Sequence, residues 1–302
     1  MLEHLMVPLD GSAFAESALP AAATLGAQFG ASVTLLHVLE ERPPAQVHGV
    51  PHLQDVAQAE AYLSEVARWL TDRGVEAAIH VHSPGTAVAK GITDHVSELE
   101  ADMVILCSHG GKGVRGFISG RVAQQVLFSR KVPVLVMPTL PQPRSRTFSV
   151  QNVLVPLSGD ASAEAALDAA AELVTGGGEI TLARVVPTVE TASGMSGAAT
   201  RLLPKAAEAL LDTEVSEAME YLRRLGTRLK SAVTPVRTVV LRGDPARELA
   251  ALASEGSVDL IVLATHGRKG VSAMWAGSVG ARLVGRLDVP VLLIRLEREI
   301  ET

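Results

Sequence analysis

A chain of 302 residues has room for two domains of about 150 residues each, and its net charge of −6 argues against nucleic acid as a main partner, because phosphate binding needs a basic face. Its one cysteine, Cys107, excludes an intrachain disulfide and suits a reducing compartment. No apolar run approaches the roughly 20 residues that span a bilayer, and the N-terminus opens directly on strand-like HLMVPL with no secretory leader, so the expectation is a cytoplasmic protein without a membrane partner.

The first buried strand is expected at Leu5 to Leu9, followed by an Asp10-Gly11-Ser12 turn and an Ala-rich helix from Ala13 to Gln28, with Ser12 as its N-cap. Pro20 should bend that helix or mark a boundary. Val33 to Val38 is the second strand, and a polar, Pro-containing connection runs from Glu40 to Pro51. Leu53 to Asp72 carries helical periodicity through Val56, Ala59, Leu63, Val66 and Leu70. Glu76 to His82 is the third strand, Ala87 to Leu99 the next helix, and 102–137 reads strand, Gly-rich loop, helix, strand. Apolar residues make up 47% of the chain and aromatics only 3%, so the cores should be built of Ala, Val, Leu and Ile, as in buried parallel sheets.

The pattern then occurs again. DMVILCSHGGKGV from Asp102 aligns with DLIVLATHGRKGV from Asp259 at an offset of 157; HLMVPLDGS at His4 matches NVLVPLSGD at Asn152, and VTLLHV at Val33 matches ITLARV at Ile180. A tandem duplication follows, with domains expected at 1–140 and 152–298 and a polar, Pro-rich linker at 141–151. The second half differs in Pro187 to Pro204, a Gly/Ser/Ala-rich stretch expected to be a mobile loop or lid, with helix only from Val215 to Lys230. Strand-helix alternation requires parallel pairing with right-handed crossovers, an α/β architecture.

Through VPLDGS, the HV-ended second strand, the G-x-P/A turn, SHG/THG and VPVLV, each half resembles a universal stress protein domain, and nearly the whole chain is similar to a tandem member of that family. The resemblance implies an α/β fold of two tandem doubly wound parallel five-stranded sheets, order 3-2-1-4-5, Rossmann-like and similar to adenine nucleotide alpha hydrolases. It further implies pairing of the two domains through their fifth strands, here within one chain, with a homodimer as a further expectation.

Some members of the family bind ATP through G-x2-G-x9-G-S/T, and glycines there let the backbone approach phosphate at a helix start. The second half reads Ala264-x2-Gly267-x9-Gly277-Ser278, intact except for Ala264. The resemblance assigns Gly267, Gly277, Ser278 and Val279 to the phosphates, with His266 and Arg268 at the loop start, and Pro156, Leu157, Ser158 and Val185 to the adenosine. Ser158 departs from the Asp that usually ends the first strand. In the first half Pro8, Leu9, Asp10 and Val38 are the matching wall, but the loop reads Cys107-x2-Gly110-x9-Gly120-Arg121, and Arg121 either fills the pocket or pairs with a phosphate. The expected ligand is ATP, with or without Mg2+, held at least by the second half. A nucleotide-free interaction protein is the alternative, favoured by Arg121 and Ser158, and a slow ATPase ranks last because no base or metal triad is visible.

Two further features are read as structural. Cys107 ends a buried strand and is expected to be a small core residue. His80 and His82 face the same way on a strand, but with no Cys or carboxylate ligand motif beside them no metal site is expected.

Overall fold

A computed structural model describes residues 2–47, 49–83, 85–107, 122–123, 125–127, 132–174, 177–188, 190–191, 204–230, 235–266, 279–284 and 287–296. The chain divides into two compact units, the first built on Met1–Ser149 together with Pro290–Arg295, the second on Val150–His266 with the helix Val279–Val284.

In the first unit the strands are β1 (His4–Pro8), β2 (Ser32–Val38), the two-residue pair β3 (Gln46–Val47) and β4 (Val50–Pro51), β5 (Ala77–His82), β6 (Met103–Cys107) and β7 (Val134–Met137). Its main sheet has the order β7-β6-β1-β2-β5, which is 3-2-1-4-5 counted along the five long strands, all parallel. Leu5, Met6 and Val7 on β1 are fully buried, as a strand covered on both faces must be. A 3₁₀ turn at Ala15–Ala18 leads into α1 (Leu19–Phe29), so Pro20 marks the start of the α-helix, where its missing N–H costs nothing. The helix stops at Gly30, whose φ of 66° is the left-handed C-cap conformation. α2 (Val56–Thr71) begins where Asp55 accepts the Gln58 N–H at 2.8 Å, and buries Ala59, Leu63, Val66 and Leu70. α3 (Val88–Glu98) forms the crossover from β5 to β6.

The second unit repeats this with β8 (Asn152–Pro156), α4 (Ala165–Leu173), β9 (Glu179–Val186), α5 (Pro204–Lys230), β10 (Val236–Arg242), α6 (Pro245–Glu255), β11 (Leu260–His266) and α7 (Val279–Val284). Its strands lie β10-β9-β8-β11, parallel throughout. β12 (Val291–Leu296), the fifth strand of the duplicated pattern, counts with the first unit, where Val291, Leu292 and Leu293 run antiparallel to Val136, Leu135 and Val134 of β7. α5 is longer than its periodicity suggests: it starts at Pro204, because Pro at the first position and the following run of Lys, Ala, Glu and Leu all favour helix. The expected loop from Pro187 therefore ends in helix, and 192–203 lie outside the described residues.

Nor is the polar connection between the repeats a bare tether. Arg144 places its guanidinium on both oxygens of Glu16 at 2.8 and 2.7 Å and on Glu65 at 2.5 Å, Leu140 N–H donates to Ser17 Oγ at 2.9 Å, and Phe148 is buried. Both carboxylates raise the already high pKa of Arg144, so this cation stays charged at every accessible pH.

One bracing device is duplicated intact. Asp102 Oδ2 accepts the backbone N–H groups of Glu3 (2.7 Å) and His4 (2.9 Å), and Asp259 Oδ2 accepts those of Gln151 (3.0 Å) and Asn152 (2.9 Å). Each carboxylate satisfies donors at the entry of the central strand and sets its register against the strand that follows the aspartate. Asp102→Ala and Asp259→Ala should each destabilise the fold by about 1–2 kcal/mol in denaturant unfolding, and Asn at either position should recover part of that, since its amide oxygen still accepts. Arg144→Ala should cost ~1–2 kcal/mol and make residues 138–149 susceptible to limited proteolysis.

Candidate functional site

In the first unit Leu9 N–H extends the ladder by donating to Leu36 O at 2.8 Å, and the chain then turns. Asp10 Oδ1 accepts both the N–H (2.9 Å) and the hydroxyl (2.6 Å) of Ser12, while Ser12 Oγ accepts the Ala15 N–H at 3.2 Å. The turn and the cap expected of Ser12 are thus one linked motif. Gly11 at the apex has φ of 87°, and a Cβ there would lie 3.1 Å from Leu53 Cγ, so Leu53 rests on the turn. His37 approaches from β2 and donates Nδ1–H to Leu9 O at 2.8 Å; its Nε2 is buried without a hydrogen bond, and the His52 ring lies 6.0 Å away. Burial, followed by the neighbouring His52, lowers the His37 pKa, with its hydrogen bond to Leu9 opposing. Leu9 and Val38 are buried beside it.

The second unit keeps the backbone and changes the chemistry. Leu157 N–H donates to Ala183 O at 2.8 Å, Ser158 is exposed, and Gly159 has φ of 94°. Here the capping carboxylate stands two residues later: Asp160 Oδ1 accepts the Ser162 N–H at 2.9 Å. At the place of His37 stands Arg184, whose Cζ, Nη1 and Nη2 lie 2.7, 2.9 and 2.9 Å from where a Cβ on Gly159 would sit. Its guanidinium is also 5.7 Å from the Tyr221 ring centroid. Burial and then Glu164, which accepts the Tyr221 hydroxyl at 3.4 Å, raise the Tyr221 pKa to about 12. The local charge therefore changes from negative (Asp10 beside a neutral His37) to positive (Ser158 beside Arg184) between the two repeats.

β8 pairs with β9 on one side and with β11 on the other, Val153 opposite both Ile180 and Leu260, so the C-terminal ends of β8 and β11 flank the point where the strand order reverses. Open α/β sheets hold ligands there. Pro156 and Leu157 are buried, and Val185, Ala264 and Val279 are half-buried. Asp244 caps α6 through the Arg247 N–H at 3.0 Å and accepts Arg282 of α7 at 2.8 Å. That bond to Arg282 is the main reason the Asp244 carboxyl is held below its ordinary value. Gly110, Gly120, Arg121, Gly267, Arg268, Gly277 and Ser278 lie outside the described residues, as does the side chain of His266. Cys107 is a buried core residue with Sγ 3.8 Å from Thr139 Oγ1, and burial pushes its thiol pKa up, which disfavours the thiolate.

The profile of the Universal stress protein family matches residues 1–138 and again 149–295. The chain belongs to the universal stress protein family. Among curated relatives it is 30% identical over 139 residues to a universal stress protein of Synechocystis, covering 46% of this chain and 87% of that one. It is also 30% identical over 79 residues to one from Methanocaldococcus jannaschii, covering 26% of this chain and 46% of that one. A universal stress protein of Archaeoglobus fulgidus superposes with a TM-score of 0.71 over 98% of this chain and 97% of its own, at 19% identity, which shows the shared fold. In this universal stress protein the turns at Asp10 and Ser158 are equivalent positions of the two repeats.

Sequence reasoning named Ser158 but passed over Arg184, although ITLARV set against VTLLHV already placed an arginine on a histidine. Because His37 has a lowered pKa in the fold, the unfolded chain binds more protons below about pH 6.5, and His37 contributes stability above that pH that is lost as the pH falls. Thermal unfolding of the wild type should therefore shift down between pH 7 and 5, and His37→Gln should remove part of that dependence.

Proposed function

We propose that this universal stress protein is a regulatory module whose second repeat binds ATP or a related adenine nucleotide, with any Mg2+ carried by the phosphates. The observation that carries this reading is the Arg184 guanidinium packed against Gly159, beside the exposed Ser158, at the reversal point of the second sheet. Its planar array of donors, where the first repeat has His37, offers a group that stacks on a purine face and donates to purine ring nitrogens. Gly267, Gly277, Ser278 and Val279 would take the phosphates, and Pro156, Leu157, Val185 and Ala264 would wall the nucleoside.

Leu53 on the Gly11 turn, and Asp10 engaged with Ser12, favour a nucleotide-free role for the first repeat. That half then serves as a surface for other proteins. We further propose that the two repeats associate through their fifth strands, a reading supported by the antiparallel register of β12 on β7.

Calorimetric titration of ATP should give one site per chain. Gly277→Ala/Ser278→Ala should abolish it, and Arg184→Ala should weaken it about tenfold, ~1.4 kcal/mol. No heat and no thermal shift at millimolar ATP would sink the nucleotide reading and leave the interaction protein in its place. Phosphate release above background in the same samples would add a slow ATPase activity.

A further inference from the structure

Three histidines meet at the edge of the first unit. His80 and His82 stand two apart on β5, the edge strand of that sheet, and so share a face. α3 lays His95 against them: His82 Nδ1 and His95 Nε2 are 2.8 Å apart, and the His80 and His95 ring centroids 4.2 Å apart. One ring nitrogen from each of the three lies within 4.8 Å of the others. The close approach depends on Gly91, one turn before His95, where a Cβ would stand 3.1 Å from Val38 and 3.4 Å from the His82 ring. Glu98, one turn after His95 in sequence order, brings Oε2 to 2.7 Å from the buried His95 Nδ1, so a small turn of the ring aligns Nδ1–H with that carboxylate.

The duplication supplies an internal control. His80 and His82 sit opposite Leu36 and Val38 of β2; in the second unit the residues opposite the equivalent Ala183 and Val185 are Val239 and Leu241. α3 and α6 are both 11 residues long, and the eighth residue is His95 in one and Leu252 in the other. The equivalent positions of the second unit thus hold three aliphatic residues, so the fold itself does not require imidazoles here.

We propose that His80, His82 and His95 form a divalent transition-metal site, for Zn2+, with the Glu98 carboxylate orienting His95. Three imidazole nitrogens suit a borderline-soft ion, and a carboxylate on the far nitrogen of a ligating histidine fixes its tautomer and raises its basicity. A tetrahedral ion with Zn–N of about 2.0–2.1 Å separates its ligand atoms by about 3.3 Å, and rotation of the half-exposed His80 ring closes the remaining gap. The fourth position is left for water. Bound there, Zn2+ clamps the edge strand to its crossover helix, which ties metal to the stability of the first unit.

The test uses the full chain stripped of metal by a chelator, then dialysed and titrated with Zn2+ by calorimetry, with Co2+ as a spectroscopic probe. One Zn2+ per chain is expected, with a rise in the melting temperature of the first transition and a visible cobalt ligand-field band. His80→Gln, chosen because His80 is half-exposed and its loss leaves the core intact, should weaken Zn2+ at least tenfold and remove the cobalt band while circular dichroism stays unchanged. His95→Gln should do the same. Failure of the wild type to bind Zn2+ at micromolar concentration, or unchanged affinity in both variants, overturns the proposal.

Discussion

β1 and β8 are each hydrogen-bonded along both edges and covered on both faces, and everything else in their repeats depends on that confinement. A strand held in this way has no freedom of register. Its last residue is delivered to one place, the point where the sheet's connections diverge to opposite faces. The chain must leave there through a tight turn, which is why Gly11 and Gly159 both take positive φ at the same step. The aspartates at 102 and 259 hold the opposite ends of these strands, accepting paired backbone N–H groups that would otherwise meet water at an exposed sheet end.

On this shared frame the two repeats have exchanged roles at single positions. In the first, a carboxylate closes its own turn and a neutral histidine backs the carbonyl of Leu9. In the second, the capping carboxylate has moved to Asp160, and a guanidinium covers the glycine instead. Neither change disturbs the ladder, because the ladder is made by backbone atoms and by Val, Leu and Ile on either side. Duplication therefore let the site chemistry diverge without loss of the fold, and the residues that differ between the copies are the informative ones.

The histidine corner follows the same logic from the other direction. An aliphatic corner is what this packing needs, and the second unit has it; the first unit has imidazoles brought close by a glycine that permits helix and sheet to approach. Burial and then the neighbouring imidazoles of His95 and His82 lower the pKa of His80.

The sequence by itself determined the duplication, the parallel α/β class and the 3-2-1-4-5 order through the family likeness, since apolar runs, glycine turns and helical periodicity are local signals that survive without coordinates. It also located Asp10, Ser158 and the turn glycines, because a strand end followed by a turn is legible in a few residues. Only tertiary structure decided what lies about 100 residues or further away in sequence: Arg144 on Glu16, or Asp102 on the N-terminal strand. The same holds for side chains aimed across elements, Arg184 onto Gly159, Leu53 onto Gly11 and His95 onto His80 and His82. His80 and His82 alone look structural, and the third ligand comes from a helix whose approach is set by Gly91 and Val38, a packing constraint that no spacing in the sequence encodes.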